Sequence, residues 1–304
     1  MSARAEQRSG RIEGARLLRF AAPPLFILLW SSGFIFVRIG LDYADPMTLL
    51  AVRYALVEVV LLPLALLLRP ALPRGAAWLH LAVVGVLVQA GHFAFINLAL
   101  AHGFAPGAAA LVTCLQPILV GLLAPWLAGE AVSARRWLGL ALGLVGAVDV
   151  ILAHSAIAGL PVWGLLFAIG ALLAITAGTL YERRFGRGTH PVTASLVQCG
   201  VGLAVALPVA AWLEPMRLEL TVGLAVALAY LVLANSIVAL TLLLVMVRLG
   251  EASRVSALFF LVPPTTALIA WAVLGDRVPP LGWPGLAVSA AGVAIVTLER
   301  RRRV

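Results

Sequence analysis

Glu58 is the residue of this 304-residue chain with the clearest capacity for chemistry. It follows Pro46 in an apolar run, so a helical rise of about 1.5 Å per residue places it roughly 18 Å along a helix, near the centre of a bilayer. A charge at that depth costs at least about 2.5 kcal/mol, so the carboxyl should be neutral or face a partner or water. The position suits a proton carrier. A structural pair, or a protonated Glu bonded to a neighbouring helix, is the alternative.

A second candidate group is a polar and aromatic stripe formed by Gln89, His92, Phe93 and Asn97. Spacings of three and four residues place these side chains on one broad helix face. Such a stripe on an apolar helix should face a cavity or another helix, and we expect it to line a cavity. His92 is also a candidate to share a proton with Glu58, with a simple bond to a neighbour as the alternative.

Other polar or aromatic residues inside apolar runs are candidates for the same cavity. The predicted lining residues are Trp30, Ser31, Gln89, His92, Phe93, Asn97, Thr113, Gln116, Thr176, Asn235 and Phe259. Hydroxyl groups in membrane helices often bond back to their own helix, which is the alternative for the Ser and Thr members.

Two prolines are predicted to kink central helices. Pro117 and Pro263 each free a carbonyl of the preceding turn, so both are predicted gating kinks, with a static packing kink as the alternative. The two cysteines show no metal-binding spacing, and we expect neither a metal nor a cofactor.

The elements that must position these residues are membrane helices. The chain is 62% apolar and 12% charged, whereas a soluble protein of this length has about a quarter charged residues. Lipid offers no partner for free backbone groups, so each apolar run must be helical. The sequence predicts an all-α membrane protein with ten transmembrane helices, near 22–40, 46–68, 76–101, 106–128, 134–153, 160–180, 191–213, 220–247, 253–274 and 280–298.

Arginine placement predicts the orientation of these helices. All 22 basic residues are arginine, and most fall in alternate short connections and in the basic tails 1–21 and 299–304. The positive-inside rule therefore predicts an inner-membrane protein with both termini in the cytoplasm, whose tails touch anionic lipid. Arginines scattered in this way are typical of membrane topology rather than of a nucleic-acid-binding face.

The two halves of the chain repeat each other. At an offset of 146 positions, Pro117 aligns with Pro263 and Trp137 with Trp283. The glycines expected to allow close helix packing repeat as well: Gly139, Gly146, Gly285 and Gly292. Five helices per half is odd, so the copies 22–153 and 160–298 should insert with opposite orientation. A five-plus-five inverted repeat around a central cavity is the usual architecture of secondary transporters.

Several segments resemble a known family, the drug/metabolite transporter superfamily, and within it the EamA family of bacterial exporters. They are "LLWSSGF" (28–34), "AVRYAL" (51–56), "QPILVGLLAPWLAGE" (116–130) and "RRWLGLALGLVG" (135–146). The resemblance implies ten helices around a central cavity, and export or exchange of amino acids or similar small metabolites. Arg53 matches the arginine of the family's second helix. For this arginine we weigh two roles, binding of a substrate carboxylate and pairing within the bundle, and pairing is the favoured interpretation. An acid in the middle of the second helix is not expected as a general feature of the family, so the resemblance implies no role for Glu58.

These observations favour a secondary transporter that exports or exchanges small metabolites by alternating access, with proton coupling as a further hypothesis. The chain contains no GxxxxGK[ST] loop, so ATP is not expected to drive it directly. A passive facilitator or channel is the main alternative. An intramembrane enzyme is disfavoured because neither a G-x-S-x-G nor an HExxH motif is present. The expected partners are a small-molecule substrate, membrane lipid and protons; the sequence does not predict the oligomeric state.

Overall fold

The computed structural model describes residues 2–128, 134–158, 161–185, 189–239, 242, 261–276 and 279–299. The regular secondary structure in these ranges is helical, apart from one isolated β-bridge between Ala44 and Leu218. We number the helices α1 (Ser2–Leu41), α2 (Pro46–Leu68), α3 (Ala77–Ala101), α4 (Pro106–Thr113), α5 (Gln116–Ala128), α6 (Ala134–Ala158), α7 (Val162–Phe185), α8 (Pro191–Leu213), α9 (Val222–Ala239), α10 (Val262–Leu274) and α11 (Gly282–Glu299).

Six of the described helices are long and apolar enough to cross a membrane. They lie at Ala21–Leu41, Pro46–Leu68, Ala77–Ala101, Val162–Glu182, Pro191–Leu213 and Val222–Ala239. Three shorter apolar stretches lie at Pro106–Val120, which includes the turn between α4 and α5, at Trp137–Ala153 within α6, and at Val262–Leu274. The prediction of an all-helical membrane protein is therefore confirmed for the described ranges, whereas the count of ten spans stays a prediction.

The predicted span 106–128 is interrupted in the structure. α4 ends at Thr113, Cys114 and Leu115 form a turn, and α5 begins at Gln116. Pro117 is the second residue of α5, where its missing N–H removes no helical hydrogen bond. The proline therefore starts a new helix instead of kinking a continuous one.

Two pairs of helices, one member in each half of the chain, begin and end at matching positions. α2 and α8 both begin at a proline and both end at a leucine, with an offset of 145 residues at each end. α5 and α10 are offset by 146 residues at both ends. α3 and α9 each change from α-helix to π-helix, over Gly85–His92 and Tyr230–Ala239 respectively. The offsets read from aligned residues thus recur in the boundaries of the helices.

Equivalent helices also pack against each other in opposite directions. Along the α2–α8 interface, Thr48 contacts Glu214, and Tyr54 lies beside Gly202. Residues early in α2 therefore meet residues late in α8, so the two helices are antiparallel.

The predicted glycine packing is confirmed between α6 and α11. A Cβ atom added to Gly292 would lie 2.6 Å from the carbonyl oxygen of Gly139, and Gly146 and Gly285 face each other in the same way. Only a residue without a side chain fits at so close an approach.

One end of the α2–α8 pair is fastened by the carboxylate of Glu214. It accepts hydrogen bonds from the backbone N–H groups of Met47 and Thr48, at 2.7 and 2.9 Å, and from the Thr48 hydroxyl at 2.9 Å. Nearby, the Arg217 N–H donates to Asp45 at 2.7 Å. We call this region, with the bridge between Ala44 and Leu218, the Glu214 clasp.

Candidate functional site

A cavity opens between five helices, drawn from both halves of the chain. α1, α2, α3 and α4 contribute from the first half, and α9 contributes from the second. The lining residues are Trp30, Gly33, Phe34, Val37, Arg53, His92, Phe93, Ile96, Thr113 and Asn235.

The two π-helical segments help to place polar groups at this cavity. His92 ends the π-helical segment of α3, and Asn235 lies inside that of α9. A π-helix adds a residue to the helical turn and so changes the direction of the side chains, which is why such segments are frequent at functional sites. Gly33 makes room for Asn235, because a Cβ atom there would lie 2.6 Å from the Asn235 amide nitrogen.

Arg53 places a guanidinium in the wall of the cavity. Its side chain is only 4% exposed, and its guanidinium lies 4.9 Å from the centre of the Phe93 ring. Nη2 donates to Asn235 Oδ1 and to Ser236 Oγ, both at 3.0 Å, and Nε donates to Ser236 Oγ at 3.3 Å. These partners belong to α9, so the arginine connects the two halves.

His92 lies in the wall of the same cavity and makes one hydrogen bond through its ring. Nδ1 lies 3.1 Å from the carbonyl oxygen of Ala171. Since a carbonyl can only accept, Nδ1 carries the proton, and the lone pair on Nε2 of the neutral ring accepts no hydrogen bond from the residues that the structure describes. The ring also makes an edge contact with Phe93, at 5.0 Å between centroids.

Five of the predicted lining residues are brought together at this cavity: Trp30, His92, Phe93, Thr113 and Asn235. Thr113 also donates its hydroxyl to the carbonyl of Ala109 at 2.8 Å, the bond to its own helix that was the alternative for such residues.

Three other predicted residues bond elsewhere. The Ser31 hydroxyl donates to the carbonyl of Val262 at 3.4 Å and connects α1 to α10. Thr176 donates to Leu172 of its own helix at 2.6 Å, and the Gln116 amide donates to a hydroxyl on α7 at 2.7 Å. These contacts join helices or satisfy a hydroxyl locally.

Gln89 and Asn97 flank the cavity-facing part of the predicted stripe. Gln89 lies beside Gly202 of α8, and its carbonyl accepts from Tyr54 at 2.7 Å. The Asn97 side chain donates to the carbonyl of Pro46 at 3.0 Å. Neither is among the residues lining this cavity, and Phe259 lies outside the described residues.

Glu58 points into the α2–α8 interface. Its Oε1 would lie 3.7 Å from a Cβ atom on Gly200, and this buried oxygen has no hydrogen-bond partner among the described residues. The carboxyl is therefore separate from the cavity-lining set that contains His92.

Pro263, like Pro117, is the second residue of a helix, here α10. The two prolines are thus equivalent in local structure as well as in sequence. Their role in gating stays a prediction.

The sequence contained a signal for lining residues that were missed. Gly33, Phe34 and Val37 follow Trp30 at the helical spacings of three, four and seven, and Ile96 continues the stripe from His92 and Phe93 in the same way. Arg53 was expected to pair within the bundle; its partners are the neutral Asn235 and Ser236, and it also lines the cavity.

Among the described residues, no group of three or more His, Cys, Asp and Glu could hold a metal ion.

Comparison with known proteins shows the same architecture in a solved structure. A crystal structure aligns with a TM-score of 0.64 and 21% identity, over 92% of this chain and 96% of that one. At this level of identity the match shows the fold alone.

Three relatives are similar over nearly their whole length. The "Uncharacterized inner membrane transporter YedA" of Escherichia coli is 24% identical over 92% of this chain and 91% of the relative. The "Probable amino-acid metabolite efflux pump" of Salmonella typhimurium is 23% identical over 89% of this chain and 92% of the relative. The "Probable terminal-alkyne amino-acid exporter" of Streptantibioticus cattleyicolor is 27% identical over 91% of this chain and 94% of the relative. Their names are those of transporters rather than enzymes.

The model of the EamA-like transporter family matches the chain twice, over residues 25–152 and 162–298. These matches cover most of the chain. The protein therefore belongs to the EamA-like transporter family.

Proposed function

We propose that this member of the EamA-like transporter family is a secondary transporter of the inner membrane that exports or exchanges amino acids or related small metabolites by alternating access. The observation that carries the proposal is the cavity, because α9, from the second family match, completes a wall otherwise formed by helices of the first. A solute held there contacts both halves, as an alternating-access carrier requires. The names of the relatives supply the substrate class.

Five observations support a five-plus-five inverted repeat as the framework of this carrier. They are the two family matches, the offsets of 145 and 146 residues between the boundaries of two helix pairs, the paired π-helical segments, the antiparallel α2–α8 pair and the facing glycines of α6 and α11. An axis lying in the membrane plane makes equivalent helices antiparallel. We propose the halves 22–153 and 160–298, with the basic tails 1–21 and 299–304 in the cytoplasm.

The test is counterflow in proteoliposomes. Vesicles loaded with unlabelled amino acids should accumulate the labelled compounds transiently and saturably, whereas empty liposomes should not. Flux without saturation or counterflow would instead indicate a passive facilitator.

Proton coupling through Glu58 is a separate part of the proposal, supported by its partnerless buried oxygen in the middle of α2. The Glu58→Gln variant should lose accumulation driven by a pH gradient and keep exchange of substrate for substrate. Glu219→Gln is the matched control, because that carboxylate is 54% exposed in a loop. If pH-driven accumulation is unchanged in Glu58→Gln, Glu58 does not couple protons.

A further inference from the structure

The Arg53 guanidinium has unused donors at the cavity wall. Its Nε and Nη2 groups are held by Ser236 and Asn235, at 3.0 to 3.3 Å. Nη1 carries two further N–H groups, and it makes no hydrogen bond to any residue that the structure describes. One edge of the planar group is therefore fixed, and Nη1 remains available to a ligand.

The positive charge of Arg53 also lacks a counter-ion among the described residues. Both of its acceptors are neutral, and the acid on the same helix, Glu58, points towards Gly200 of α8. A buried cation is normally paired, because removing it from water costs several kcal/mol. Here an uncompensated cation lies in the wall of a cavity, where a solute can supply the missing anion.

We propose that Arg53 is the receptor for a carboxylate of the transported solute, and that this contact restricts transport to solutes that carry one. This inference rests on the proposed function and narrows its substrate class. A guanidinium matches the planar geometry of a carboxylate, and charge-assisted hydrogen bonds are about twice as strong as neutral ones. Asn235 and Ser236 act as positioning residues that hold the guanidinium in place.

The rest of the lining fits a zwitterion with an apolar body. Trp30, Phe34 and Phe93 offer aromatic surface, and Nε2 of a neutral His92 accepts a hydrogen bond from an ammonium group. Arg53 is the one arginine in the described lining, so the site matches a single negative charge better than a doubly charged phosphate.

The experiment compares leucine with an analogue that lacks the carboxylate and with one that keeps the carboxylate but lacks the amino group. Counterflow of labelled L-leucine, L-valine and L-phenylalanine is measured against unlabelled L-leucine, leucinamide and 4-methylpentanoate. We expect leucinamide to compete about 10- to 100-fold less well than leucine, which is the size of a lost charged contact. We also expect 4-methylpentanoate to compete, since it keeps the carboxylate.

Variants assign that preference to Arg53. Arg53→Gln should abolish the advantage of leucine over leucinamide, and Arg53→Lys, which keeps the charge, should retain part of it. Ser236→Ala is the matched control: it removes a partner of the guanidinium but not the charge, so the preference should persist even if affinity falls. Size-exclusion profiles and the thermal midpoint Tm show whether each variant is folded.

Two results would overturn the proposal: leucinamide competing as well as leucine in the native protein, or an unchanged ratio of the two in Arg53→Gln. Absence of counterflow for all three labelled amino acids would count against the proposed function instead. The receptor is then tested through the rise in Tm caused by 4-methylpentanoate and by 4-methylpentanamide. A larger rise with the acid, lost in Arg53→Gln, supports the receptor, and an equal effect of the two compounds rules it out.

Discussion

The two ends of the α2–α8 pair are held in different ways, although the two helices begin and end 145 residues apart. At one end, Glu214 of the segment after α8 caps the first turn of α2 through Met47 and Thr48. At the other end, the first turn of α8 is capped by its own preceding residue, His190, which accepts from the N–H of Val192 at 3.3 Å. One cap joins two helices, and the other belongs to a single helix.

Residue types at equivalent positions explain the difference. At the offset of 145, Glu214 corresponds to Arg69 and Thr48 corresponds to Thr193. An arginine has no acceptor for the N–H groups of a helix terminus, and its charge is unfavourable there. Thr193 accordingly has a buried hydroxyl oxygen with no partner among the described residues.

A cap that joins two helices has a consequence for movement. The helices cannot separate at the Glu214 clasp without breaking three hydrogen bonds to a carboxylate, whereas a cap within one helix moves with that helix. Under the proposed alternating access, the structure is therefore the state in which the clasp end is closed. The four predictions below test this difference, beginning with the largest effect.

Locking the clasp should stop transport. Ala44 and Leu218 form an antiparallel bridge flanked by the bonds Asp45 N–H to Arg217 O (3.1 Å) and Glu219 N–H to Tyr43 O (2.8 Å). This is the non-hydrogen-bonded pair of an antiparallel ladder, with Cα atoms about 4.5 Å apart, which suits a disulfide. The oxidised double variant Ala44→Cys/Leu218→Cys should lose counterflow and regain it on reduction.

The single variants Ala44→Cys and Leu218→Cys are the controls for this experiment and should transport in both redox conditions. The native cysteines Cys114 and Cys199 are buried and should not interfere. Counterflow at the native rate in the oxidised double variant would mean that the clasp end does not open during transport.

Removing the cross-helix cap should destabilise the protein. Glu214→Ala leaves two N–H groups and a hydroxyl without their acceptor, so we expect the free energy of unfolding to fall by about 2 kcal/mol. Thermal unfolding in detergent measures this as a lower Tm. Glu219→Ala is the control, because its 3.9 Å pair with Arg217 is exposed and should contribute little. Equal Tm values for the two variants would contradict the role of Glu214.

Helix positions could be predicted from the sequence because they depend on local features. Apolar runs long enough for a bilayer predicted α2 at 46–68 and α8 at 191–213, where the structure has them. The close packing of the glycines of α6 and α11 could be predicted for a similar reason, since repeated small residues indicate close helix packing.

The hydrogen-bond partners of polar side chains could not be predicted in the same way. Gln89 and His92 are three residues apart in one predicted stripe, yet only His92 lines the cavity, because Gln89 lies against Gly202 of α8. The π-helical segment that ends at His92 changes the direction of these side chains, and helical spacing alone does not predict it. The Glu214 clasp likewise depends on contacts between residues more than 160 positions apart.

Thr48→Val isolates one hydrogen bond of the clasp. The Thr48 side chain is 3% exposed and donates to Glu214 Oε2, while Val has nearly the same shape and no hydroxyl. We expect a loss of about 1 kcal/mol in the free energy of unfolding, read as a lower Tm. The backbone bonds to Glu214 should persist, so the effect must be smaller than that of Glu214→Ala. An effect as large as that of Glu214→Ala would mean that the hydroxyl dominates the cap.

Thr193→Val makes the same change at the equivalent position of α8, where the surroundings differ. Thr193 is 4% exposed, but its hydroxyl oxygen has no partner among the described residues, so valine removes a buried polar group and breaks no bond. Replacing such a group by an apolar one of the same shape is neutral or stabilising, so Tm should stay the same or rise slightly. A fall in Tm equal to that of Thr48→Val would mean that the α8 terminus makes a comparable bond, and the two ends would then be equivalent. A difference between these matched variants would instead trace the asymmetry to one carboxylate, because the change in side chain is identical at both ends.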